Sequence, residues 1–152
     1  MDLLELARGY LGQAKARLDD ASDAVGEGNY AYALRLSQEC VELSVKAALR
    51  SAAIEYPKLH EVSELLETFA PRFPPWFAAE IPFIKASSLS LFKKRELAFY
   101  GGEDMALPPE KVIGKEDGMN AVESARRAFA DCERLIGPPR GESPSGAATG
   151  QP

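Results

Sequence analysis

Between Glu80 and Glu96 the chain carries no acid, yet it holds Lys85, Lys93, Lys94 and Arg95. The last three stand near the end of an apolar, helix-forming stretch, so positive potential gathers there. Two chemistries fit this cluster. It is either a phosphate-binding patch, joined by Arg126 and Arg127 from the last helix, or a set of cations that complements the negative end of a helix dipole. Arg95 is the most pointed of the four, because Phe92 and Phe99 flank it at i−3 and i+4 on one face. A charge on an apolar stripe snorkels out between the rings, is held by a carboxylate, or faces an anionic ligand at an interface. His60 is the single histidine and the natural general-base candidate. At the start of a helix it serves equally as a structural device. One histidine and two isolated cysteines, Cys40 and Cys132, lack the spacing of a metal site, so neither a metal nor a cofactor is expected. Each cysteine stands in an apolar helical pattern and reads as a small buried hydrophobe.

The composition bounds what can position these groups. The 152 residues are 45% hydrophobic and 27% charged, which suits one globular domain and excludes general disorder. The net charge of −5 excludes binding of polyanions by charge alone, so a nucleic-acid site has to be a local basic patch. No apolar run reaches the 18 residues of a membrane span. The opening MDLLELARGY is amphipathic without a basic leader, so no signal peptide is expected and the chain reads as cytoplasmic.

The elements read as helices almost throughout. Leu4, Leu11, Leu18 and Val25 recur every seven residues, interleaved with Ala7, Ala14 and Ala21, which predicts a long amphipathic helix. Gly26 to Asn29 forms a short turn, so the next helix runs antiparallel. That second helix is expected from Tyr30 to about Ile54. It carries two apolar stripes, one through Ala33, Leu34, Val41, Val45 and Leu49, the other through Tyr32, Leu36, Leu43 and Ala47. Such a helix is central in a bundle or buried by a second subunit. A short helix is expected from His60 to about Ala70, and a fourth from about Ala78 to Tyr100, with Pro82 in its first turn and Gly101-Gly102 ending it. Residues 103–114 read as a surface loop, followed by a last helix from about Glu116 to Ile136. The domain is expected to occupy residues 1–136, with 137–152 a flexible tail.

Several of these segments together carry a resemblance. Ser37-Gln-Glu-Cys-Val-Glu-Leu-Ser-Val-Lys-Ala47, then Glu55-Tyr-Pro-Lys-Leu-His-Glu-Val62, then Leu65-Leu66, are similar to the HEPN family (higher eukaryotes and prokaryotes nucleotide-binding). Arg95 to Tyr100, a proline-bearing loop and Glu116-Asp117 opening an alanine-rich helix match as well. The resemblance covers roughly residues 2 to 136. It implies an all-α, up-down four-helix bundle with one short extra helix, commonly a homodimer; the two stripes of the second helix and the inward face of Arg95 point to a dimer through the second and fourth helices. Relatives are often encoded beside a minimal nucleotidyltransferase antitoxin, and many are metal-independent endoribonucleases with an arginine followed four to six residues on by a histidine. The arginine would hold the scissile phosphate and the histidine would move the proton of the ribose 2′-hydroxyl.

This sequence has Arg95 but Tyr100 where the histidine belongs. A tyrosine of ordinary pKa about 10 is a poor base at neutral pH, although it can donate to phosphate or stack on a base. His60 is not expected to replace it, since it starts near the lower end of the bundle while Tyr100 ends a helix of about 33 Å at the other. The resulting expectation is a homodimer that binds RNA, a nucleotide or a nucleotidyltransferase through Lys93, Lys94 and Arg95, with degenerate catalysis. The alternatives are an active ribonuclease toxin that uses Arg95 and Tyr100, and a purely structural partner of a nucleotidyltransferase.

Overall fold

The structure, a computed structural model, describes residues 2–100 and 106–139, except the side chains of residues 98–100. In chain order the elements are α1 (Leu3–Gly26), α2 (Tyr30–Ser51), α3 (Glu64–Thr68), a 3₁₀ turn (Ala70–Arg72), α4 (Pro75–Tyr100), α5 (Pro109–Val112) and α6 (Lys115–Ile136). The four long helices form an all-α bundle. Two short helices lie in the connections, where the sequence predicts one, because residues 109–112 make a single turn inside the expected surface loop.

The heptad seam of α1 is buried through Ala7, Leu11, Ala14, Leu18 and Ala21, while Leu4 is half exposed at the helix start. α1 ends in a Schellman motif: Asn29 N–H donates to Ala24 O and Gly28 N–H to Val25 O, with Gly28 at φ +77°. The tight turn lays α2 against α1, and α2 packs on α6 and α4 as well. It is therefore the central helix of a single chain. Both apolar stripes are covered within the monomer, except that Tyr32 remains 44% exposed and Leu43 is half-buried. Where α6 crosses the start of α2, a Cβ on Gly118 would meet Tyr30 Cβ at 3.0 Å and its Cα at 3.2 Å, so the close crossing requires glycine.

Three expected boundaries move. α2 stops at Ser51 rather than Ile54, because Ala53 takes φ +58° and closes a second Schellman motif. Ile54 N–H donates to Leu49 O and Ala53 N–H to Arg50 O, and Ile54 is buried behind the turn. The short third helix begins at Glu64, not His60, since the residues before it are irregular. α4 begins at Pro75, where proline's missing N–H costs nothing, and Pro82 then lies inside the helix on an exposed face. The expected Gly101-Gly102 stop lies outside the described residues. Past α6, Pro138 O accepts from Arg8 Nε at 2.7 Å and Pro139 is buried. The rest of the expected tail, 140–152, lies outside the described residues. No helix among the described residues is long and apolar enough to cross a membrane.

The start of α4 is clasped to the end of α6. Arg127 grips both oxygens of Glu80, at 3.0 and 3.3 Å, and lies 3.8 Å over the Phe83 ring, while Arg134 lies 3.9 Å over Trp76. Asp131 stands beside Glu80 with its Oδ2 buried. Burial, then Glu80, pushes Asp131 up to about 6. The hydrogen bond from Asp131, then Arg127, holds Glu80 below its usual value.

Ala53→Gly should raise stability by about 0.5–1 kcal/mol, because glycine removes the left-handed strain at slight entropic cost. Urea unfolding would measure it, and a loss of stability would contradict the motif. Asp131 holds its proton in the folded chain at pH values where the unfolded chain has lost it. Its contribution is thus complete below about pH 4 and lost as pH rises toward about 6. Glu80 works in the opposite direction, its contribution falling away in acid. Asp131→Asn, which cannot ionise and offers Glu80 an N–H, should raise Tm at pH 7.5 more than at pH 4.5. Equal shifts at both pH values would contradict the upward shift of Asp131.

Candidate functional site

Gln38, Glu42 and Lys46 recur every four residues along α2, on a face between its apolar stripes. Gln38 is only 2% exposed, and its amide is used at both ends. Its Oε1 accepts from Arg95 Nη1 at 2.6 Å, and its Nε2 donates to Glu42 Oε1 at 3.2 Å. Glu42 Oε2 in turn accepts from Lys46 Nζ at 2.9 Å and faces His60 Nδ1 at 3.3 Å. A continuous polar chain thus runs from the end of α4, along α2, to the segment before α3.

That segment is fastened to α4 by Glu61. Its Oε1 accepts from Ser63 N–H at 2.7 Å and its Oε2 from Ser88 Oγ on α4 at 2.6 Å. The chain leaving α2 at the Ala53 turn therefore doubles back until His60 lies level with Glu42. This corrects the expectation that His60 stands apart from the arginine site. His60 opens no helix, and it lines a cleft of about 200 Å³ together with Arg95, Arg17, Glu39, Glu42 and Leu43. Arg17 and Glu39 pair across that cleft at 3.3 Å. His60 is 67% exposed, so its second nitrogen is within reach of a ligand.

Consecutive residues on a helix point about 100° apart, and the expected basic cluster divides accordingly. Arg95 turns to α2, Lys94 Nζ lies 3.9 Å from Asp117 of α6, and Lys93 is exposed. Lys85 Nζ donates to Glu67 at 3.2 Å. Arg126 and Arg127 do not join the patch: Arg126 pairs with Glu123 at 3.6 Å and Arg127 is held by Glu80 at the far end of α4. Tyr100 is the last residue of α4, and its side chain, like that of Phe99, lies outside the described residues.

The cysteines are buried and unpaired, Cys40 pushed up to about 12 and Cys132 higher, in each case chiefly by burial. Neither thiol is available as a thiolate at neutral pH. Among the described residues no three His, Cys, Asp or Glu side chains gather where they could hold a metal ion.

The fold agrees with known proteins. The model of the HEPN domain matches residues 7–135. The chain belongs to the HEPN family. The crystal structure of ST0689, an archaeal HEPN homologue, is 26% identical with a TM-score of 0.65, covering 86% of this chain and 97% of its own. TT1696 from Thermus thermophilus is 20% identical with a TM-score of 0.64, covering 85% of this chain and 97% of its own, a likeness of fold. No protein of curated function matches the chain.

Sequence reasoning does not single out Gln38, Glu42 or Lys46 as site residues. The signal is present, since a glutamine, a glutamate and a lysine at four-residue spacing interrupt a helix that is otherwise apolar on two sides. Gln38→Leu keeps the volume but leaves a guanidinium and a carboxylate without their shared amide. It should cost about 1–3 kcal/mol in urea unfolding. A cost near zero would mean that the amide does not bridge the two charges.

Proposed function

We propose that this HEPN protein binds the phosphate of RNA or of a nucleotide in the cleft between α2 and the end of α4, with degenerate catalysis. The observation that carries the reading is Arg95, half-buried at the cleft wall and oriented by the neutral Gln38 amide. Gln38 orients the guanidinium from the α2 side, and a guanidinium fork matches phosphate bidentately. A purely structural partner of a nucleotidyltransferase has no need of such a cleft. A nucleotidyltransferase partner is compatible with ligand binding here, and so is a homodimer. Leu89 and Leu97, 40% and 44% exposed on α4, offer apolar surface for the latter.

A second reading, a metal-independent endoribonuclease toxin, draws on one observation. His60, with Glu42 at its Nδ1, shares the cleft with Arg95 and is a base of the right class, in place of or beside Tyr100. In that case His60→Ala should lower cleavage of single-stranded RNA by about 10²–10⁴-fold in the presence of a chelator. If purified protein cleaves nothing, the degenerate reading stands.

The binding itself is tested by fluorescence anisotropy with single-stranded RNA. Arg95→Ala should weaken binding at least tenfold and lower the log–log salt slope by about 0.7. Lys93→Ala, which removes a point charge and no bidentate fork, should cost less. Unchanged binding by Arg95→Ala would overturn the proposal.

A further inference from the structure

The Arg95 cleft does not stop at His60. On the other side of the Glu42–His60 contact lies a larger cavity of about 410 Å³, lined by Tyr10, Lys46, Arg50, Tyr56 and Lys58 among others. The two cavities share Glu42, Leu43 and His60 as lining. They adjoin along α2 as two lobes on either side of that contact. The second lobe is within the size of ordinary small-ligand sites, roughly 300–1,000 Å³.

Its lining combines two chemistries. Arg50 Nε donates to Tyr56 Oη at 3.2 Å with its guanidinium 4.8 Å from the ring centre, and Lys46 Nζ is 5.6 Å from the same ring. Tyr56 is thereby fixed against α2 with cations beside it. Burial, against the Arg50 hydrogen bond, raises its hydroxyl above the usual value, so it remains a neutral donor. Lys58 is exposed at the rim, and Leu59 beside it is 58% exposed, an apolar side chain left in water at the mouth. Aromatic and apolar surface interleaved with cations is what a base joined to a phosphate requires.

Charge and length argue together. Across both lobes Arg17, Lys46, Arg50, Lys58 and Arg95 face Glu39 and Glu42, a local formal excess of three cations in a chain of net charge −5. Along α2, Lys46 lies about 12 Å and Arg50 about 18 Å beyond the Gln38 anchor of Arg95, from about 1.5 Å per residue. One phosphate accepts hydrogen bonds only within about 3 Å of its oxygens, so a single phosphate does not serve both ends. We infer that the groove holds a single strand of RNA of more than one nucleotide, one phosphate at Arg95 and a second at Arg50 and Lys58, with a base against Tyr56. This rests on the phosphate-binding reading of the Arg95 cleft, and adds to it a second subsite with its own residues.

The test titrates the full chain with uridine monophosphate and with uridine oligomers of two, four and eight nucleotides. Affinity should rise at least tenfold from the monophosphate to the tetramer. Lys58→Ala, at an exposed side chain, should remove a large part of that gain. Arg50→Gln should do the same with a greater loss, its fold checked by circular dichroism. The salt slope for the tetramer should fall by about 0.7 for each phosphate that a variant no longer neutralises. A monophosphate that binds as tightly as the tetramer, or a tetramer indifferent to both variants, overturns the second subsite while Arg95-dependent binding survives. If nothing binds, or if binding ignores Arg95→Ala, the phosphate reading fails and the second subsite fails with it.

Discussion

A buried amide on the central helix has to satisfy a guanidinium on one side and a carboxylate on the other. Gln38 does this with one acceptor and one donor, which no apolar residue could supply; an ionised glutamate would lack the donor and add a second buried anion beside Glu42. The consequence is positional. Arg95 is drawn inward to α2 instead of outward between aromatic rings, and Glu42 is turned so that its other oxygen meets Lys46 and His60. α2, α4 and the segment before α3 are registered against one another through this one side chain. Breaking it would leave charged groups underpaired at the wall of the cleft, which is costlier than losing an exposed ion pair.

The second requirement is that the chain turn back after α2. An alanine in the left-handed region, not a glycine, ends that helix, and the buried Ile54 behind it offsets part of the strain. Glu61 then fastens the returning stretch of chain to α4 through Ser88. Together they convert a histidine that is remote in sequence from Arg95 into its neighbour across a cleft. They also bring Tyr56 and Lys58 over the face of α2 that holds Lys46 and Arg50. A groove with polar ends and an apolar mouth results from helix-capping geometry as much as from the residues that line it.

The bundle is legible in the residues, because a seven-residue seam in α1, two stripes in α2 and a single stripe in α6 are periodic signals that tertiary packing obeys. The same is true of Arg95, a charge out of place on an apolar face. What the residues do not disclose lies where local rules and tertiary contacts compete. The start of α4 is misplaced from sequence because a proline at position 82 reads as a first turn until Pro75 is seen to hold that role. His60 falls at the wrong end because the end of α2 depends on an alanine at positive φ, which composition does not announce. The basic cluster reads as one patch, although three consecutive helical residues cannot share a face, and Arg127 is claimed by Glu80, 47 residues away in the chain. The polar residues on α2 are hidden by their own regularity inside a helix that looks apolar.

The central claim is that a ligand phosphate enters the cleft whose wall is set by Gln38, Arg95 and His60. Proton–nitrogen NMR of the side chains, recorded during titration of the intact protein with a uridine tetramer, tests it most directly. The account predicts saturable shifts of the Arg95 guanidinium, the Gln38 amide and the His60 ring, with the Arg127 guanidinium at the opposite end of α4 unmoved. Saturable shifts at Arg127 with Arg95, Gln38 and His60 silent would contradict it.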